Sequence, residues 1–129
     1  MSADEELMDD IVNEARFDWI DLGHALAVVR SVEGGDDRLV RYRRATALVV
    51  RLVREGRLVA GDIGTTRGAF VAWDMTPNDA AEELERHARA VLSGDLPLEP
   101  WQPCMFAAAG SESLERGRRE MEERRAGEQ

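Results

Sequence analysis

The side chains able to do chemistry are few and scattered. His24 and His87 lie far apart in the 129-residue chain, Cys104 is the single cysteine, and none has a neighbour at a metal-ligand spacing. Cys104 adjoins the apolar run Met105-Phe106-Ala107-Ala108-Ala109. That setting suits a buried, reduced thiol better than a nucleophile waiting on a histidine. Both histidines sit beside apolar helix positions and read as partly buried structural residues. Gly61-Asp62-Ile63-Gly64-Thr65-Thr66 has the glycines of a phosphate loop but neither its lysine nor its strand–loop–helix order, so it reads as a turn. Carboxylates are abundant, yet nearly all fall on polar helix faces, where solvation explains them without acid–base work. No catalytic residue, metal or cofactor is expected.

Two charged surfaces remain as candidates for binding. Glu6, Asp9, Asp10 and Glu14 (with Glu5) occupy the polar face of an N-terminal helix, and Asp18 follows just beyond it. Such a face is either solvated helix surface or a docking patch for a basic protein, where complementary charge speeds association and sets orientation. On that second reading, changing Glu6, Asp9, Asp10 and Asp18 to lysine weakens a salt-sensitive complex. The other surface is basic: Arg43, Arg44, Arg51 and Arg54 project from a later helix, and Arg67 falls at the tip of an expected hairpin. A winged-helix regulator uses such positions on DNA, the helix in the major groove and the wing on phosphate or minor groove.

Charge distribution weighs between them. The net charge is −9, and all 17 basic residues are arginine. Residues 1–21 hold eight acids and one arginine, residues 22–75 six acids and nine arginines, and residues 76–129 twelve acids and seven arginines. Only the middle block offsets the long-range repulsion of nucleic acid. No Asn or Gln reader occurs in Arg38–Glu55, and Ala47 and Val50 dilute its exposed face. A basic protein, toxin-like in charge, is therefore the preferred partner and DNA the alternative.

The elements that must carry these residues are legible from periodicity. Leu7, Met8, Ile11, Val12 and Ala15 make one face of a helix over Ala3–Ala15. The apolar rhythm continues through Trp19, Leu22, Leu26 and Val29, with a break expected near Phe17-Asp18 and Asp18 as the second helix cap. After the loop Ser31–Asp37, Ala45, Leu48, Val49, Leu52 and Val53 align on one face of a helix that Gly56 stops. Two short β-prone runs, Arg57–Ile63 and Ala69–Asp74, flank the link Gly64–Gly68 and predict a hairpin. Thr76-Pro77-Asn78-Asp79 opens a fourth helix with Ala80, Ala81, Leu84, Ala88, Val91 and Leu92 inward, and Glu82–Arg86 and Glu85–Arg89 spaced to pair. Cys104–Ala109 is expected to add a third strand, with Pro103 at its start.

The predicted fold is α+β and winged helix-turn-helix-like, with several helices packed on a small antiparallel sheet of two or three strands. Residues 1–110 form one domain led by the acidic helix; residues 111–129 are a polar helix or a disordered tail. No apolar run approaches the ~20 residues needed to cross a bilayer, and the acidic start is unlike a secretory signal, so a cytoplasmic protein is expected.

Glu55, Gly56, Leu58, Val59, Gly61, Asp62, Phe70, Trp73 and Asp74, with Asp18-Trp19 upstream, resemble the pattern of a family of small uncharacterised bacterial proteins. The likeness spans about residues 17–110. It implies a winged-helix-like architecture, and some such proteins resemble immunity partners of secreted toxins, an association at the level of the fold.

Overall fold

The computed structural model describes residues 2–63 and 70–127. Its first two helices are separate, α1 over Ala3–Phe17 and α2 over Leu22–Glu33. The Ser2 side chain accepts the Glu5 amide and caps α1, whose first turn is acidic, as the positive end of a helix dipole favours. Between the helices the chain runs extended, because Ile20 bridges Phe106 through backbone hydrogen bonds of 2.9 and 2.7 Å. That bridge moves the cap downstream. Asp21, not Asp18, caps α2: its carboxylate accepts the His24 amide at 3.2 Å, and His24 Nδ1 accepts the Asp21 amide at 3.3 Å. Asp18 instead ends α1 and takes the Trp19 amide at 2.8 Å.

α3 spans Arg38–Arg54 and is capped by Asp37, which accepts the amides of Leu39 and Val40. It stops where expected, with Gly56 at φ +77° and the Arg57 amide bonded back to Leu52 O. The chain then enters β1 (Leu58–Ile63) and β2 (Phe70–Ala72), paired antiparallel with Gly61 opposite Ala72 and Ile63 opposite Phe70. Trp73 lies one residue past β2 and still donates its amide to Ala60 O at 2.9 Å. The expected link Gly64–Gly68, and Arg67 with it, lies outside the described residues.

α4 (Pro77–Leu92) begins at the Thr76 cap with proline in its first turn. β3 (Met105–Ala108) pairs antiparallel with the other edge of β1, giving the strand order β2-β1-β3. The chain closes with α5 over Glu112–Gly127, anchored by Leu114, which is buried with Phe70 and Ala107. Helices packed on a small three-stranded antiparallel sheet make the fold α+β, as predicted.

The core gathers around α3, which packs on α4, α2, α1 and β1. Tyr42, Ala45, Leu48, Val49, Leu52 and Val53 are buried, and so is Val50, at 6% exposure. Periodicity places Val50 on the solvent side, but α4 covers it, because α3 is enclosed on more than one flank. Each large aliphatic side chain withdrawn from water here contributes roughly 1.5–3 kcal/mol. No helix among the described residues is long and apolar enough to cross a membrane.

Candidate functional site

Burying Leu7, Met8, Ile11, Val12 and Ala15 fixes the rotation of α1 and so fixes where its acids point. The five candidate carboxylates do not stay together. Asp10 and Glu14 turn towards α2 and line a trough with Asn13, His24, Val28 and Val32, about 390 Å³ in volume. Glu14, Asn13 and His24 also line its continuation of about 280 Å³, which reaches Asp18, Phe17 and Trp19. Glu6 is exposed one turn before Asp10 and lines neither depression. Asp9 faces the opposite flank, where the Arg57 guanidinium donates to it at 2.6 Å. The sequence pattern thus marks one helix face, and the structure divides it into a trough (Asp10, Glu14, Asp18), an exposed acid outside the trough lining (Glu6) and a structural ion pair (Asp9).

No side-chain hydrogen bond or ion pair engages Glu6, Asp10 or Glu14 among the described residues. Their charge is directed to solvent. Two large apolar side chains stand beside them, Phe17 at 87% exposure and Val32 at 60%. Neither was singled out from sequence. The available signal was that Phe17 falls out of phase with the buried stripe of α1; Val32 continues the buried phase of α2 and is exposed because it lies in that helix's last turn.

The arginines have a different fate. Arg44 donates to Glu33 at 2.9 Å and also to Asp4, so it ties α3 to the C-terminal end of α2 and the first turn of α1. These two carboxylates, Asp4 first, hold the Arg44 pKa above its ordinary value, and Arg44 in turn lowers that of Asp4. Arg51 bonds Glu55 within α3 at 3.0 Å. Arg54 reaches across to α4, to Asn78 at 3.2 Å and to Glu85. Arg43 lines a hollow of about 350 Å³ between α3 and α4 together with Arg89. The expected helical pairs in α4 also re-partner: Glu85 goes to Arg54, and Arg86 takes Glu83 at 2.7 Å in place of Glu82. The docking of α3 on α4 supplies the partner of Glu85, and the i,i+3 spacing within α4 supplies that of Arg86, in place of the i,i+4 pairs.

The remaining reactive groups are structural. Cys104 is buried, and loss of hydration, reinforced by Asp62 and opposed by a hydrogen bond with the Gly61 backbone, pushes its thiol up to about 12. A thiol so held is a poor nucleophile. His24 serves the α2 cap, with about half of its side chain exposed. Among the described residues, no group of three or more His, Cys, Asp and Glu side chains is placed to hold a metal ion.

Compared with known proteins, the chain matches no family model, no curated sequence and no solved structure.

Proposed function

We propose that the protein is a non-enzymatic binding module that docks its α1–α2 trough on a basic partner protein, as a cytoplasmic inhibitor or immunity factor docks on a cationic toxin domain. One observation carries the reading. Asp10 and Glu14 have no intramolecular partner among the described residues, share a trough with Asp18, and stand beside the exposed Phe17 ring. Charged groups at a rim with an aromatic anchor among them are the ingredients of a protein interface. The acids steer a cationic segment in, and Phe17 offers area that gains by leaving water. The test is calorimetric titration with a lysine- and arginine-rich helical peptide, comparing the wild type with Asp10→Lys/Glu14→Lys. The double change is expected to weaken binding by about tenfold or more, since each lost interfacial charge contact is worth on the order of 1 kcal/mol. Equal binding by both proteins contradicts the reading.

The alternative is a winged-helix regulator that reads DNA with Arg43, Arg44, Arg51, Arg54 and Arg67. It draws support from the order helix, β1, β2. Against it, α3 is enclosed by its neighbours, and Arg44, Arg51 and Arg54 are committed to Asp4, Glu33, Glu55 and Glu85. A gel-shift series with those five arginines changed to alanine decides it: duplex binding that falls stepwise with each replacement favours the regulator.

A further inference from the structure

The acidic trough has a counterpart on the other flank of α2. Arg30 of α2 and Arg38 and Arg41 of α3, with Leu26, Leu98 and Pro100, line a groove of about 650 Å³. It carries three guanidinium groups over an apolar lining of Leu26, Ala27, Leu98 and Pro100. Among the described residues, no side-chain hydrogen bond or ion pair engages Arg30, Arg38 or Arg41. The two depressions share a wall, since Ala27 and Ser31 line both. Those residues lie four apart, hence on one face of α2, and their small side chains keep that wall low. One face of the molecule therefore sets an arginine-lined groove beside a carboxylate-lined trough, with α2 between them.

We infer that this face is the interface of a homodimer in which Arg30, Arg38 and Arg41 of one protomer meet Asp10 and Glu14 of its partner. The symmetry follows from the layout. A twofold axis running along α2 exchanges the two flanks of that helix, so each arginine groove falls on the partner's acidic trough, and two equivalent sets of charge contacts form at once. An axis across α2 would oppose like charges and is disfavoured. Charge complementarity selects a second copy of this chain as the occupant, because each depression carries what the other lacks. Val32, exposed at 60% on the trough lining, supplies apolar area beside the charges. The inference does not rest on the proposed basic partner, which would compete with the second copy for Asp10 and Glu14, and it is measured on the protein alone.

Sedimentation equilibrium of the full chain up to about 100 μM tests it. A dimer is expected at ~0.1 M salt and a monomer at ~1 M, where the screening length falls from about 10 Å to about 3 Å. Arg30→Glu/Arg41→Glu and Asp10→Arg/Glu14→Arg should each be monomeric while retaining the wild-type circular dichroism spectrum. Mixed together, the two variants should recover both charge-matched sets, one native and one reversed, and associate at least tenfold more tightly than either does alone. Three results overturn the inference: a monomeric wild type at low salt, a dimer that survives both reversals, or reversed variants that fail to associate with each other. Binding of the cationic peptide by a wild type that stays monomeric would leave the proposed function standing without the dimer.

Discussion

The Arg57 guanidinium donates to Asp9 at 2.6 Å, joining the turn after α3 to the exposed flank of α1. One of the five carboxylates that sequence assigns to partner binding is thereby part of the scaffold. Both side chains remain well exposed, at 37% and 48%, so the pair is worth no more than about 1 kcal/mol. Asp9→Asn is expected to lower unfolding stability by less than about 1 kcal/mol in urea titration and to leave cationic-peptide binding unchanged. Asp10→Lys/Glu14→Lys should show the opposite pattern, with stability kept and binding lost.

Tyr42 and Thr46 lie one turn apart in α3, at 2% and 6% exposure; the Thr46 hydroxyl offsets part of the burial that raises the Tyr42 phenol, but neither hydroxyl meets hydrogen-bond geometry with a partner among the described residues. Burying an unsatisfied hydroxyl costs roughly 1–3 kcal/mol. Thr46→Val keeps the shape of the side chain and removes that cost. The change is expected to raise stability by about 1 kcal/mol, read as a higher urea midpoint at an unchanged slope.

Alkaline stability follows from Cys104. Burial raises its pKa from 9.0 to about 12, so above pH 9 the unfolded chain releases a proton that the folded chain keeps. The stabilisation of the neutral thiol is complete below that value and is lost as pH rises from 9 towards 12, at up to about 1.4 kcal/mol per pH unit. Burial raises the Tyr42 phenol as well, which adds a loss of the same sign above pH 10. Cys104→Ala should therefore be less stable at neutral pH, by roughly 1 kcal/mol for the lost buried sulfur, yet show a shallower decline in chemical denaturation between pH 9 and 11.

Gly61 marks a close approach inside the sheet. A Cβ at this position would lie 2.5 Å from both the Phe70 ring and the Val71 carbonyl oxygen. Backbone cannot yield cheaply there, and Phe70 is fixed by its stack on Trp19 at 5.9 Å and by Leu114. Gly61→Ala is expected to cost ~1–3 kcal/mol in thermal or urea unfolding. A neutral result would show that β1 and β2 are more loosely paired than their register implies.

What the sequence made legible was whatever depends on local period and caps. Leu48, Val49, Leu52 and Val53 turn inward, Gly56 ends α3, Thr76 and Pro77 open α4, and Met105–Ala108 forms the third strand. Properties set by the meeting of distant segments were not legible. The Ile20–Phe106 bridge decides that Asp21 rather than Asp18 caps α2, and no local signal encodes it. The cover over Val50, and the partners chosen by Arg44, Arg54 and Arg57, depend in the same way on where α1, α2 and α4 dock. For the candidate site, sequence marked the acids Glu6, Asp9, Asp10, Glu14 and Asp18 but not which of them line the trough and which is drawn into an ion pair. It also passed over Arg30, Arg38 and Arg41, which belong to two helices and converge only in the fold.

The most direct measurement is backbone amide NMR of the labelled protein titrated with the cationic helical peptide. Shift changes should concentrate at Asp10, Glu14, Phe17, Asp18 and His24 and vanish in Asp10→Lys/Glu14→Lys. Changes centred instead on Arg43–Arg54, or none anywhere at low salt, would contradict the assignment of the α1–α2 trough as the binding surface.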